Sequence, residues 1–144
     1  MKAPIKKREP KYTHPTVILI DDNEMDNYIN QKVIEGCTFA KNIFINTNGI
    51  SALELVKNIL QTQNAPNEIK PAVLFIDINM PFMDGFDFIQ ELMELLKEHT
   101  NYNPKIVVLT SSINDDDKKR ILSLNKEIIY MYKPLTESAL MAIK

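Results

Sequence analysis

Asp21, Asp22 and Asp77 stand at the ends of two apolar runs: Thr16-Val-Ile-Leu-Ile20 leads into Asp21-Asp22, and Ala72-Val-Leu-Phe-Ile76 leads into Asp77. A third run, Ile106-Val-Val-Leu109, ends at Thr110, and a fourth, Ile128 to Tyr132, ends at Lys133-Pro134. Continuous apolar runs suit parallel strands covered on both faces, and in open parallel sheets ligands bind beyond the carboxyl ends of the strands. Three acids, a hydroxyl and an ammonium are therefore expected at one edge of one sheet. Two unit charges about 4 Å apart interact by about 4 kcal/mol at an effective dielectric of about 20, so acids crowded there repel one another and favour a cation. Hard carboxylate and carbonyl oxygens suit Mg²⁺, with Mn²⁺ a chemically reasonable substitute, and the partly hydrated shell of the ion leaves positions for phosphate oxygens. With Lys133 as a fixed positive charge and Thr110 as a hydrogen-bond donor, this is equipment for phosphoryl transfer, and in the absence of a Cys or Ser/His pair at these positions the natural nucleophile is a carboxylate.

Singly, each of these residues has an ordinary explanation. An Asp after a strand commonly forms a turn or caps a helix, a lone Thr110 is usually a turn hydroxyl, and a lone Lys133 a solvated end. Together, in this order, they specify more than any one of them does. The remaining candidates are read as structural: Asp115, Asp116 and Asp117 as acids at a helix start and His99 as an imidazole near a helix C-terminus, both complementing the helix dipole.

The elements that must position the set alternate along the chain. The pattern predicts strands over 16–20, 42–46, 72–76, 105–109 and 128–132. It predicts helices over 24–36, 50–60, 86–99, 115–124 and 136–144. In the first helix Met25, Tyr28, Ile29, Lys32, Val33 and Gly36 fall at helical spacing, with Asn23 as the cap. Asn48-Gly49 reads as a turn, Gly85 precedes the third helix, and 61–71, with Pro66 and Pro71, reads as an exposed loop. Five β-α units predict a three-layer α/β sandwich.

The chain has 144 residues, of which 44% are hydrophobic and 25% charged, and its net charge is -2. These values fit one globular domain and give no reason to expect direct nucleic-acid binding. The single Cys37 forms no disulfide within the chain, no apolar run is long enough for membrane insertion, and a cytoplasmic setting is expected. Residues 1–15, with Lys2, Lys6, Lys7, Arg8, Lys11 and three prolines, read as a flexible basic arm ahead of a domain over 16–144. No glycine pattern makes a phosphate loop.

Asp21-Asp22, Asp77-Ile-Asn-Met-Pro-Phe-Met-Asp-Gly85, Thr110-Ser111 and Lys133-Pro134, in that order, resemble the signature of the response regulator receiver domain of two-component and phosphorelay signalling, over about residues 16–144. The resemblance implies a flavodoxin-like fold with a five-stranded parallel sheet of order 2-1-3-4-5 and about five helices, and a cis Lys133-Pro134 bond. It implies that Asp77 accepts a phosphoryl group from a histidine kinase or a histidine phosphotransfer protein. Asp21, Asp22 and Asp77, with the backbone carbonyl of Asn79, are then the Mg²⁺ ligands, Lys133 contacts the phosphoryl group, and Thr110 and Tyr130 are the switch residues. Asn79 and Ser112 occupy positions that in this family influence the lifetime of the phosphoryl group.

The expected activity is therefore that of a phosphoaspartate switch rather than a turnover enzyme, with self-catalysed phosphorylation and dephosphorylation. The output is expected through an unidentified downstream protein or by onward relay, with no effector domain attached. The alternative from another class is a Mg²⁺-dependent aspartyl-phosphate hydrolase of haloacid dehalogenase type. It is disfavoured because the Asp-x-Asp pattern expected after the first strand is an Asp-Asp pair here, and because Asp77-Ile-Asn79 lacks the second acid.

Overall fold

The computed structural model describes residues 10–143. Five parallel strands form one sheet in the order β2-β1-β3-β4-β5, which is the flavodoxin-like order. They are β1 (His14–Ile20), β2 (Ala40–Asn46), β3 (Val73–Ile76), β4 (Lys105–Thr110) and β5 (Ile129–Tyr132). Helices α1 (Glu24–Gly36), α2 (Gly49–Gln61), α3 (Gly85–Glu98), α4 (Asp115–Leu124) and α5 (Glu137–Ala142) alternate with them. Ile20 pairs with both Asn46 and Ile76, and Ile76 with Val108, so the strands reach the carboxyl edge nearly in step. The residues that follow those ends are held side by side.

Side chains alternate across a strand, and the two faces accordingly carry separate cores. Ile18, Ile20, Leu74, Ile76 and Val108 pack with Val56 of α2, Phe88, Ile89 and Leu92 of α3 and Ile121 of α4. Val17, Leu19, Phe75, Val107 and Leu109 pack with Ile34 of α1 and Leu140 of α5 on the other side. At about 1.5–3 kcal/mol for each large apolar side chain buried, both layers are driven onto the sheet, and the three-layer sandwich follows.

Four differences from the sequence reading have physical reasons. First, β1 begins at His14 because Thr13 N and His14 N already donate to the carbonyls of Thr38 and Phe39, and His14 pairs with Ala40. The strand pair is longer at its start than the apolar pattern suggests, and of the expected basic arm residues 1–9 lie outside the described residues. Second, Asn48-Gly49 starts α2 rather than forming a free turn, since the Asn48 side chain accepts from Ser51 N at 2.7 Å. Third, the 61–71 segment contains a single 3-10 turn, Asn67–Ile69, whose Glu68 carbonyl accepts from the buried Thr16 hydroxyl.

The fourth difference concerns α1. The expected inner face is turned outward: Met25 is 66% exposed and Tyr28 57%, whereas Asn27 and Asn30 are 3% and 2% exposed. Apolar spacing alone cannot see the reason, which is that both asparagines have hydrogen-bond partners at the sheet edge.

Candidate active site

Each loop at the carboxyl edge is pinned by local hydrogen bonds. Asn23 caps α1 by accepting from Asp26 N at 3.0 Å, and its own N–H donates to Asp21 Oδ1 at 2.9 Å. The buried Asn27 amide donates to the Asp21 carbonyl at 2.8 Å. Asp77 N donates to the Ile20 carbonyl at 3.0 Å, which fixes the acceptor candidate beside the first acid pair. Asp84 caps α3 by accepting from Asp87 N at 2.9 Å. A Cβ on Gly85 would lie 2.6 Å from the Asp77 carbonyl oxygen and 2.7 Å from Ile78 Cα, so this helix start can press on the backbone of Asp77 only because residue 85 has no side chain.

Asp21, Asp22 and Asp77 converge as expected, with one carboxylate oxygen from each lying within 4.8 Å of the others. Asp21 and Asp77 are buried and Asp22 is exposed. Lys133 reaches into the group: its Nζ lies 2.6 Å from Asp21 Oδ2, 2.9 Å from Asp26 Oδ2 and 3.4 Å from Asp77 Oδ2. Burial, and next the Asp21 charge, push the Asp77 carboxyl up to about 6 against the opposing pull of Lys133. Burial alone would lower the Lys133 ammonium, but its hydrogen bonds to Asp21 and Asp26 outweigh that and hold it above the ordinary lysine range. Asp77 Oδ1 is buried with no hydrogen-bond partner. An orphaned carboxylate oxygen beside two further acids is the donor set that a small hard cation satisfies, so the residues present fit Mg²⁺.

Thr110 is fully buried at the end of β4. Its Oγ1 accepts from Ser112 N at 3.1 Å, and its carbonyl accepts from Lys133 N at 2.8 Å. The hydroxyl is thus turned toward the β4-α4 loop, with no hydrogen bond to Asp77. Ser112 Oγ in turn donates to Asp117 Oδ2 at 2.6 Å. Tyr130 is partly buried on β5, packs edge-on against Tyr132 at 5.6 Å, and has a buried hydroxyl without a partner. Burial, then the charges of Asp117, Tyr132 and Asp77, push that phenol up to about 12. Asn79 is exposed two residues beyond Asp77. The Lys133-Pro134 bond is cis.

Sequence reasoning missed Asp26, Asn27, Asn30 and the packing role of Gly85. Asn30 Oδ1 accepts from Leu135 N at 3.3 Å, so α1 grips the loop that carries Lys133 as well as the loop that carries Asp21. The signal was available as a helical stripe, Asn27-Asn30-Ile34, whose apolar end marks the whole stripe as inward.

A parallel sheet with three acids, a lysine and a hydroxyl at its switch point defines a phosphoryl-handling α/β protein. Residues 17–143 match the family described as response regulator receiver domain, and the chain belongs to that family. That match gives no support to the hydrolase alternative. It is 26% identical over 102 residues to the response regulator Rcp1 of Synechocystis, a match covering 70% of this chain and 65% of Rcp1. The two-component response regulator ARR17 of Arabidopsis thaliana is 29% identical over 132 residues, covering 89% of this chain and 81% of that protein. Among solved structures, a two component response regulator from Cytophaga hutchinsonii superposes with a TM-score of 0.70 at 27% identity, covering 88% of this chain and 91% of the other. The phosphorylated cyanobacterial phytochrome response regulator RcpA does so at 0.66 with 25% identity, covering 90% and 88%. The chain spans less than two thirds of several curated relatives it matches: 65% of Rcp1, 24% of a Burkholderia thailandensis protein-glutamate methylesterase and 11% of the Helicobacter pylori kinase CheAY. Among the described residues no helix is long and apolar enough to cross a membrane.

Proposed function

We propose that Asp77 is the phosphoacceptor, receiving the phosphoryl group from a phosphohistidine on a histidine kinase or histidine phosphotransfer protein. The observation that carries this reading is the buried, unpartnered Asp77 Oδ1 beside Asp21 and Asp22, with the other oxygen on the Lys133 ammonium. That the relative RcpA was crystallised phosphorylated supports it. An Asp77 oxygen attacks phosphorus, the P–N bond breaks, and the imidazole leaves with the electron pair and takes a proton from solvent. An acyl phosphate remains. Water later attacks phosphorus and returns inorganic phosphate and the free carboxylate, so the chain turns its own signal over without acting as an enzyme on other substrates.

Asp21, Asp22 and Asp77 would hold Mg²⁺, or Mn²⁺ in its place, together with the Asn79 carbonyl. The ion supplies charge neutralisation at the phosphoryl oxygens. Lys133 supplies the second positive charge. Thr110 exchanges its Ser112 contact for the phosphoryl group, and Tyr130 follows at the surface of α4, β5 and α5, where a downstream protein binds or the phosphoryl group is relayed onward. The reading places the chain in the cytoplasm, with a receiver unit that starts at β1.

Incubation with phosphoramidate and Mg²⁺ should add one phosphoryl group by mass spectrometry, and Asp77→Asn and chelation should each abolish it. A label that survives either treatment refutes the assignment. Beryllofluoride-treated protein should bind its downstream partner with an affinity changed about 5–150-fold, the coupling expected of 1–3 kcal/mol, and Thr110→Ala should reduce that ratio.

A further inference from the structure

We propose that Asp26 competes with the phosphoryl group on Asp77 for the Lys133 ammonium and thereby weakens the hold of the site on that group. This rests on the reading of Asp77 as phosphoacceptor. An ammonium has three N–H donors, and Lys133 Nζ has three carboxylates around it, at 2.6 Å to Asp21, 2.9 Å to Asp26 and 3.4 Å to Asp77. The acceptor is the most distant of the three. A phosphoryl group on Asp77 brings up to about two negative charges, and to draw in toward them the ammonium must move off the carboxylates that it lies closer to than Asp77.

Asp21 has an alternative partner, because it is one of the three acids that can share a cation. Asp26 is outside that group of acids, so a cation there leaves the contact between Asp26 and Lys133 intact. The fold also keeps the two groups together. Asp26 N is tied to the Asn23 cap, and Asn30 on the same helix accepts from Leu135 N, two residues beyond Lys133. The backbones that carry the two side chains are thereby held beside each other. The Asp26 side chain is 34% exposed, against 5% for Asp21, so water can solvate its carboxylate once released. The contact opposes the phosphoryl group and can still be broken.

The test is a titration of the intact chain with beryllofluoride at saturating Mg²⁺, followed by fluorine NMR, for the wild type, Asp26→Asn and Asp26→Glu. Asp26→Asn should bind roughly three- to tenfold more tightly, and its phosphorylated form, made with phosphoramidate, should decay correspondingly more slowly. Asp26→Glu, which restores the charge, should stay within about twofold of the wild type. An Asp26→Asn affinity equal to or weaker than wild type overturns the inference, as a purely supporting role for Asp26 would predict. Calorimetry should find Mg²⁺ affinity within about threefold of wild type in Asp26→Asn. A tenfold loss would place Asp26 among the metal carboxylates and also overturn it. A wild-type chain that binds no beryllofluoride overturns the phosphoacceptor reading and this inference together, whereas tight wild-type binding with no gain in Asp26→Asn overturns this inference alone.

Discussion

Helices α1 and α3 have 13 and 14 residues, lie against opposite faces of one sheet, and each begins at a loop that carries a site acid. They are held differently. The inner face of α3 is Phe86, Phe88, Ile89, Leu92 and Leu95, all buried, and hydrophobic burial alone accounts for its place. The buried residues of α1 are Asn27, Asn30 and Ile34, while Met25, Tyr28 and Ile29 face solvent. Burial is non-directional, whereas hydrogen bonds fix particular atoms. A helix that must register Asp26 against Lys133 and hold two loops at once therefore has polar groups on the inner side of its first half, and the apolar residues there, Met25, Tyr28 and Ile29, remain outside.

Four measurements test whether the two helices differ in this way. Leu92→Ala, at a fully buried position of α3, should cost about 2–5 kcal/mol in urea unfolding, while Mg²⁺ affinity of the folded protein stays unchanged. A loss of Mg²⁺ affinity would show that α3 also tunes the site chemistry.

The next effect in size is a pH dependence seated in the acid cluster. Asp77 has a folded-state value raised to about 6 from 3.8, so its contribution to stability is fully present below the unfolded value and is lost as pH rises through about 6. At about 1.4 kcal/mol per unit, metal-free protein should lose up to about 3 kcal/mol between pH 4 and pH 7 from this group. Asp77→Asn should flatten that fall, and so should Mg²⁺. An identical pH profile for wild type and Asp77→Asn would remove Asp77 as the cause.

Asn30→Ala leaves the Leu135 amide buried without its partner and should cost about 1–3 kcal/mol. Unlike Leu92→Ala, it should also slow phosphorylation at saturating Mg²⁺ and speed hydrogen exchange at Leu135. Unchanged exchange there would mean that Asn30 does not hold the loop. The smallest effect belongs to the outer face: Ile29→Gln should change stability by less than about 0.5 kcal/mol. A cost of several kcal/mol would restore the apolar face of α1 to the core.

What was legible in the sequence follows from the same contrast. Strand ends, helix caps such as Asn23 and the convergence of Asp21, Asp22, Asp77, Thr110 and Lys133 on one edge could be read because each depends on local pattern and parallel-sheet geometry. The orientation of α1 could be read only from the mixed stripe Asn27-Asn30-Ile34 and not from apolar spacing, which predicts burial only where burial is what holds the helix. Asp26 was hidden for a related reason: its role depends on Lys133, 107 positions away in the chain, and a first-turn acid on a helix already has a sufficient local explanation in the dipole. The place of Thr110 at the end of a strand could be read from the sequence, but the contact of its hydroxyl with Ser112 N depends on loop geometry that residue types do not encode.

Gly85 has a consequence for anyone who would transplant this acceptor onto another sheet. Its missing side chain lets the first turn of α3 lie directly against the Asp77 and Ile78 backbone, while Gly85 N donates to the Ile78 carbonyl at 2.8 Å. The aspartate and the helix that fills much of one core therefore form a single mechanical part joined by the seven residues between them. Moving Asp77 without Gly85 would carry over the carboxylate and leave behind the support that keeps it still. Enlarging residue 85 would pry that support away from the acceptor.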